Sequence, residues 1–451
     1  MKAGGGPRAR FAALTERLGE RNPLPAGTLT VGGGLVVNGI MSYVFLGLAA
    51  RTLGVDAFGP LSVLWALIYL VGPGFFLPLE QEVSRSLANR RARGVGGGPL
   101  VRQAGMLGAA LVAALVAVTL VGAPLLLDHL FDDQVLILVG FVLAIVGYSA
   151  VHLARGTLAG LGRFRGYALF FVYENSLRVA AAVVLALLGV DNAGPYAVAV
   201  GLAPGVAIGL ALLGEHDLAS EGPPAPWGEL GAALGSLLAA SVLTAFLLYA
   251  GVLAVELLAD ESESDQAGVF LAGLAVARVP VFLFQAVQAA LLPKLSALAG
   301  AGRFHEFGDR LRRLLAAVGL IGGIGVVGAA LLGPFLIDIL FGDAFALDRV
   351  DLALLALSSA AFMVAVALGQ ALIALEGQSR VALGWLVGVL AFLGITAAGE
   401  DLFLRVESGL AGGSAVAAVV IGVLARQRLH GRLRAHPHTL TTIDRTTTIE
   451  P

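Results

Sequence analysis

The sequence predicts an all-α, polytopic membrane protein, with twelve transmembrane helices in two six-helix halves related by pseudo-symmetry around a central cavity. Three observations carry this expectation. Of 451 residues, 58% are hydrophobic and only 13% are charged, with a mean hydropathy of +0.88. Soluble domains carry roughly 25% charged residues, so a soluble chain of this length could not cover its surfaces with the charges present here. The apolar residues run in blocks of roughly 20, the length that crosses a bilayer. The positive residues are concentrated in alternate connections, as orientation by Lys and Arg requires.

Taken in order, the expected spans are 30–50, 60–80, 104–126, 135–155, 167–189, 194–213, 231–257, 267–292, 314–336, 350–373, 381–399 and 406–425. The segment before them, 1–29, reads as a basic, amphipathic cytoplasmic tail with Lys2, Arg8, Arg10, Arg17 and Arg21. A full-length apolar block follows it, so it does not read as a cleaved signal peptide. Spans one and two are separated by the Arg51–Gly59 turn. Spans eleven and twelve are separated only by Gly399-Glu400-Asp401. Counted over this layout, 24 of the 29 Lys and Arg residues fall in the two tails and the even connections. The odd connections hold only Arg51, Arg349 and Arg405, beside acids such as Asp128, Asp132 and Asp133. Both termini are therefore expected in the cytoplasm. The tail 426–451, Thr-rich at its end, reads as disordered.

The expected domain limits follow: an N-terminal half over 30–213, a cytoplasmic linker over 214–230 and a C-terminal half over 231–425. The linker carries Glu215, Asp217, Glu221 and the Pro223-Pro224-Ala225-Pro226 run, without Lys or Arg. A shift of 209 residues superposes Gly59 on Gly268, at the start of spans two and eight, and Arg85 on Lys294, past their inner ends. Both spans contain Pro and leave through a basic extension. Weak similarity between six-span halves is a common transporter construction.

The inventory also excludes chemistry. With no Cys there are no disulfides, thiolate nucleophiles or Cys-ligated metals. Lys2 and Lys294 are the only lysines and neither follows a Gly, so no Walker A loop can be written. No H-E-x-x-H or G-x-S-x-G occurs. The outer connections are short and none gathers a His/Asp/Glu site, so the chain is not expected to be an enzyme.

Arg51-Thr52-Leu53-Gly54-Val55-Asp56-Ala57-Phe58-Gly59 resembles the A-R-x-L-G-x-x-x-F/Y-G signature of prokaryotic polysaccharide and oligosaccharide-lipid flippases. Leu158 to Phe164, Leu292-Pro293-Lys294-Leu295-Ser296 and the Leu340-Phe341-Gly342-Asp343 core of the loop after span nine are further matches. The resemblance covers most of the chain. It implies alternating-access transport of a polyprenyl-pyrophosphate oligosaccharide from the inner to the outer leaflet of a prokaryotic plasma membrane, for cell-surface polysaccharide biosynthesis. The partners it implies are the lipid-linked glycan, membrane lipids and other polysaccharide-assembly proteins, with no nucleic acid. The same superfamily contains lipid II flippases and multidrug and toxin extrusion antiporters. The chain lacks the basic cluster that lipid II flippases show in spans one and two, which argues against lipid II as substrate. The alternative function on this scaffold is a cation-coupled multidrug antiporter. No cofactor or metal is expected; H⁺, Na⁺ or membrane potential remain open as the energy source.

Polar residues within spans mark the candidate substrate-binding site, because a charge at a span centre costs roughly 2.5–3.5 kcal/mol on insertion scales. Glu174 and Arg178 lie four apart on one face of span five, in the favourable order. They form either a self-neutralising pair or a cavity-lining gate. Arg278, in span eight, has no carboxylate within four residues on its own helix. Together with Gln285 and Gln288 it makes a polar stripe. Arg278 either caps carbonyls of a neighbouring helix or forms an anion site that forks onto phosphate oxygens. Lipid II flippases likewise place an Arg of span eight in the cavity, which favours the second reading. Asn38, Gln370, and Ser149 with His152, are further candidates for lining the cavity. Glu80 and Glu82 are expected to pair with Arg85 or nearby bases.

Overall fold

The computed structural model describes residues 27–231, 234–260, 263 and 266–435. Among them every long element is helical and no strand occurs. The helices are α1 (Thr28–Ala92), α2 (Gly98–Val121), α3 (Ala123–Leu130), α4 (Val135–Gly160), α5 (Phe164–Leu187), α6 (Ala193–Leu212), α7 (Leu234–Leu258), α8 (Gln266–Ala277), α9 (Val279–Gly300), α10 (Phe304–Leu340), α11 (Arg349–Ala374), α12 (Gln378–Ala398) and α13 (Leu402–Ala435). Single-turn 3₁₀ segments lie at Trp227–Leu230 and Asp343–Phe345.

Among the described residues, ten helical segments are long and apolar enough to cross a bilayer. One of them, α1, has 65 residues. At 1.5 Å per residue that is about 98 Å, three times a hydrocarbon core of about 30 Å, so α1 holds two spans. Its break is at Gly54, with φ 74° and ψ 177°. This backbone region is essentially restricted to glycine, and other residues held there cost about 1–3 kcal/mol. Gly54→Ala is therefore expected to lower the thermal midpoint of the detergent-solubilised protein. A control such as Gly32→Ala, a helical glycine where an added Cβ meets open space, should not lower the midpoint. Equal midpoints for the two variants would refute the strained turn.

The twelfth crossing is α8 with α9. This corrects the expected continuous span eight: the helix is interrupted at Arg278 (φ −97°, ψ 0°), two residues before Pro280. Pro lacks the N–H that would bond back to residue 276, and its ring crowds the preceding turn. The helical phase of Arg278 is consequently not carried unbroken to Gln285 and Gln288. Two other boundaries differ from expectation. The third span ends at Gly122, with α3 following as a separate short helix. The last helix runs on to Ala435, past the expected limit of 425. Residues 1–26 of the expected amino-terminal tail and 436–451 of the carboxyl-terminal one lie outside the described residues.

Burial follows the logic of a lipid solvent. Large apolar side chains such as Val118, Val121, Leu187, Leu320, Ile324, Leu331 and Val419 are exposed on the helix flanks. Arg178, Glu174, Asn175 and Glu407 are buried. Helices α4, α5 and α6 pack around α1 in the first half, and α11, α12 and α13 pack together in the second. The halves meet where α1 runs against α7 and α8. The glycines matched by the 209-residue shift touch there: a Cβ on Gly268 would lie 3.4 Å from the Gly59 nitrogen and 3.2 Å from the Phe58 ring.

The acidic connection before α7 is strapped to the end of α1. Arg90, 3% exposed, forks onto Glu229 at 2.6 and 2.7 Å and donates to the carbonyls of Gly96 and Pro223. Ser86 donates to the Glu229 carbonyl (2.7 Å), and Arg163 pairs with Glu215 (2.9 Å). Glu82 pairs with Arg85 at 2.6 Å, as expected.

Candidate functional site

A cavity partly open to solvent lies between the halves. The first span in α1 contributes Asn38, Ser42, Tyr43 and Leu46, and the second contributes Trp65 and Tyr69. From the other half come Tyr249 of α7, Leu271 and Ala275 of α8, Arg278 at the helix break and Phe282 of α9. Helix α8 is 12 residues long, about 18 Å, which places Arg278 near the middle of a hydrocarbon core of about 30 Å.

Arg278 is 9% exposed, and its guanidinium carbon lies 5.0 Å over the Tyr249 ring. Among the described residues no carboxylate pairs with it and no carbonyl accepts from its side chain. A cation–π contact satisfies the face of the guanidinium but leaves its N–H edge free. An Arg that caps a neighbouring helix would have carbonyls on that edge, so the geometry here is that of a group presenting donors to the cavity.

Arg178 contrasts with it. It is fully buried and donates to Glu174 Oε1 (3.0 Å), Asn175 Oδ1 (2.9 Å), Tyr69 OH (3.1 Å) and Tyr148 OH (3.2 Å). Tyr148 OH donates to the same Glu174 oxygen at 2.6 Å. The pair does not line the cavity; it sits directly behind the wall. Asn175 donates to Asn38 Oδ1 and Ser42 Oγ, both at 2.8 Å, and Asn38 and Ser42 do line the cavity. On the other side Tyr69 stacks on Tyr249, with centroids 5.6 Å apart. The two intramembrane arginines are thus joined across the halves through Arg178, Tyr69, Tyr249 and Arg278.

The remaining candidates separate. Gln370 is half-buried in α11 and is not among the residues lining the cavity. His152 and Ser149 do not line it either. His152 Nδ1 donates to Glu80 Oε2 (2.7 Å), and Arg155 and Tyr167 reach Glu80 Oε1 at 3.1 and 2.9 Å. Glu80 therefore pairs with His152 and Arg155 and not with Arg85. Gln285 and Gln288 lie in helix α9, but their side chains are outside the described residues. The aromatic wall of Tyr43, Trp65, Tyr69, Tyr249 and Phe282 is not anticipated by the sequence reading. Its signal was the placement of tyrosines in mid-span, where each phenol needs a partner. Tyr43 OH, for example, donates across the halves to the Ala275 carbonyl at 2.8 Å.

Five residues beyond cavity-lining Leu46, the halves are tied together by further contacts. Arg51 of α1 donates to the last carbonyls of α10, those of Asp338 (2.7 Å), Ile339 (2.8 Å) and Leu340 (3.3 Å). Terminal carbonyls have no intrahelical donors and carry the negative end of the helix dipole, so a guanidinium satisfies both needs. Phe58 packs edge-on against Phe345 beside it (5.5 Å). The chain has no Cys, so a thiol introduced by Leu46→Cys is unique. Adding Arg51→Ala is expected to speed its reaction with a membrane-impermeant reagent applied on the Arg51 side. An unchanged labelling rate would mean that Arg51 does not tie the halves together here.

No family model matches the chain. It is similar to an uncharacterized protein of Mycobacterium tuberculosis, 28% identical over 363 residues, spanning 77% of this chain and 80% of the relative. Another uncharacterized protein, found in M. tuberculosis and M. bovis, is 26% identical over 371 residues, spanning 79% and 81%. Among solved structures, the fold is similar to an inward-facing multidrug resistance MATE family transporter of the MOP superfamily. The TM-score is 0.67 at 16% identity, covering 89% of this chain and 99% of that one. An outward-facing MATE transporter gives 0.63 at 14% identity, covering 90% and 96%. A eukaryotic MATE transporter gives 0.61 at 13%, covering 91% and 98%. The chain shares this two-lobed helical fold.

Proposed function

We propose that this chain is a membrane transporter that works by alternating access between its two halves, and that its substrate is an anionic amphiphile of the polyprenyl-pyrophosphate oligosaccharide class. The observation that carries the substrate assignment is Arg278: a buried guanidinium without an acidic partner, facing a mid-membrane cavity between the halves. A pyrophosphate supplies the planar pairs of oxygens that a guanidinium fork matches, and it would also relieve the cost of the uncompensated charge. The aromatic wall adds faces against which sugar rings or the prenyl chain can lie. Transfer would run from the inner to the outer leaflet of a prokaryotic plasma membrane, in support of surface-polysaccharide assembly. The orientation rests on the arginine distribution.

The fold likeness taken alone favours a second reading at least as well, because the similar solved structures are described as multidrug transporters. A cation-coupled multidrug antiporter would bind cationic drugs in the same cavity. Against that stands the cavity wall, to which the described residues contribute Arg278 and no carboxylate. Proteoliposomes separate the readings. Wild-type protein should move a labelled polyprenyl-pyrophosphate oligosaccharide between leaflets and should not accumulate a cationic dye against an imposed pH or Na⁺ gradient. Dye accumulation without lipid movement would replace the first reading by the second.

A further inference from the structure

Glu407 is the one buried carboxylate among the described residues whose two oxygens both lack a hydrogen-bond partner. It is 0% exposed and lies five residues past the first residue of α13, about 7.5 Å along the helix. Two other buried intramembrane acids have partners: Glu174 pairs with Arg178 and Tyr148, and Glu80 with His152, Arg155 and Tyr167. The face that carries Glu407 points inward. Four residues before it, Phe403 packs on Phe270 of α8 (5.6 Å), and three residues after it, Leu410 closes on Gly251 of α7.

Among the described residues no cation pairs with it; Arg405, two residues before it, and Arg349, at the exposed start of α11, both lie near the same helix ends without bonding to it. From α11 it meets the field of Asp351, and from the turn before α13 that of Asp401, both negative. From α12, the Thr396 hydroxyl abuts α13 at Gly409 and is itself without a partner. On α7 the nearest charge is Glu256, two residues before the Leu258 carbonyl that takes the guanidinium of Arg405 (2.8 Å) and so draws that positive charge away. Helix α8 brings only Arg278, at its far end in the cavity. The part of α10 that reaches α13 does so at Gly308 and Leu429, near the opposite end of the helix. No group of three or more metal-ligating side chains gathers here or elsewhere among the described residues.

An ionised carboxylate cannot persist in such a place, because burying an unpaired charge costs far more than protonating it. A buried carboxylate with two negative neighbours and no paired cation takes a proton. We propose that Glu407 is the proton-carrying residue of this transporter: it binds H⁺ in the conformation seen here and releases it when movement of the second half exposes it to water. The step is a reversible protonation, carboxylate plus H⁺ to carboxylic acid. Its link to the cavity is mechanical. Helix α8 packs on α13 at Phe270 and ends at Arg278, so a shift of α13 on deprotonation displaces the anion-binding group. The coupling part of this inference rests on the transporter reading, whereas the proton site itself does not.

Two measurements on the full chain in lipid test it. The first is pH-difference infrared spectroscopy. Wild type should show a protonated-carboxyl band that titrates with pH, that Glu407→Gln removes and that Glu407→Asp shifts in frequency. A band unchanged in both variants would overturn the proton site, and the Asp variant keeps the test intact if the Gln variant folds poorly. The second is movement of labelled polyprenyl-pyrophosphate oligosaccharide across proteoliposome leaflets with and without a pH gradient. Wild type should be stimulated by the gradient, and Glu407→Gln should lose the stimulation while keeping gradient-free exchange. Retained stimulation in Glu407→Gln would overturn the coupling role. An intact infrared signal with no lipid movement by wild type would instead overturn the substrate reading and leave the proton site standing.

Discussion

Replacing Arg278 by Ala is expected to abolish movement of a polyprenyl-pyrophosphate oligosaccharide in proteoliposomes, while Arg278→Lys retains part of it. The expected size follows from the geometry. Hydrogen bonds to charged groups contribute about 1.5–3 kcal/mol each, and a guanidinium offers a pyrophosphate two in parallel. At about 1.36 kcal/mol per factor of ten, losing both predicts roughly a hundredfold loss or more. Lys keeps the charge but not the fork, so it should fall between Ala and wild type. The change should destabilise the fold only modestly, because no carboxylate or carbonyl among the described residues depends on Arg278. Only Tyr249 loses a cation–π contact, and such contacts contribute about 0.5–2 kcal/mol. A variant that is as stable as wild type and equally active would remove Arg278 from the site, whatever the chain transports.

The second large effect is expected at Arg178, and there the sign is opposite: stability falls first. Arg178 and Glu174 are both buried, 3.0 Å apart, inside a network with Tyr69, Tyr148 and Asn175. Removing one partner of a buried pair strands the other charge and costs about 3–5 kcal/mol. Arg178→Met alone should therefore lower the thermal midpoint in detergent strongly. The double variant Arg178→Met with Glu174→Gln removes both charges together and should recover most of the loss, since buried pairs contribute little over neutral replacements. If the double variant is no more stable than the single one, the pair is not what holds this part of the first half together. If it recovers stability but not transport, the network behind the cavity wall has a role beyond neutralising itself, which the bond from Asn175 to cavity-lining Asn38 would explain.

Much of the architecture was legible in the sequence because a bilayer imposes a one-dimensional rule: about 20 apolar residues per crossing and positive charge on alternate connections. That rule specifies twelve crossings and marks Arg278, Arg178 and Glu174 as intramembrane charges. It also set Gly59 beside Gly268 as repeat-related positions, and these two glycines prove to be in contact between the halves. It did not disclose the break in span eight. Pro280 was visible, but a proline in an apolar run can kink a helix or end it, and packing decides which.

What the sequence by itself determined is the inventory: which charges must reside in the membrane, how many crossings surround them, and that Arg278 has no acid near it along the chain. What only the tertiary structure decided is the partnership of each charge. The two intramembrane arginines look alike as letters. Arg178 is buried behind the wall because Tyr69, Tyr148 and Asn175 converge on it from three helices, and Arg278 faces the cavity because the helix breaks where it stands. Glu407 shows the same limit from the other side. It lies one residue inside an apolar block, six after Asp401 and two after Arg405, and reads as an ordinary charge near a helix end. Its isolation appears only in three dimensions, when Arg405 turns away to the Leu258 carbonyl. The interactions that set these roles fall off within a few ångströms and join residues far apart in the chain, so no pattern along the sequence can encode them.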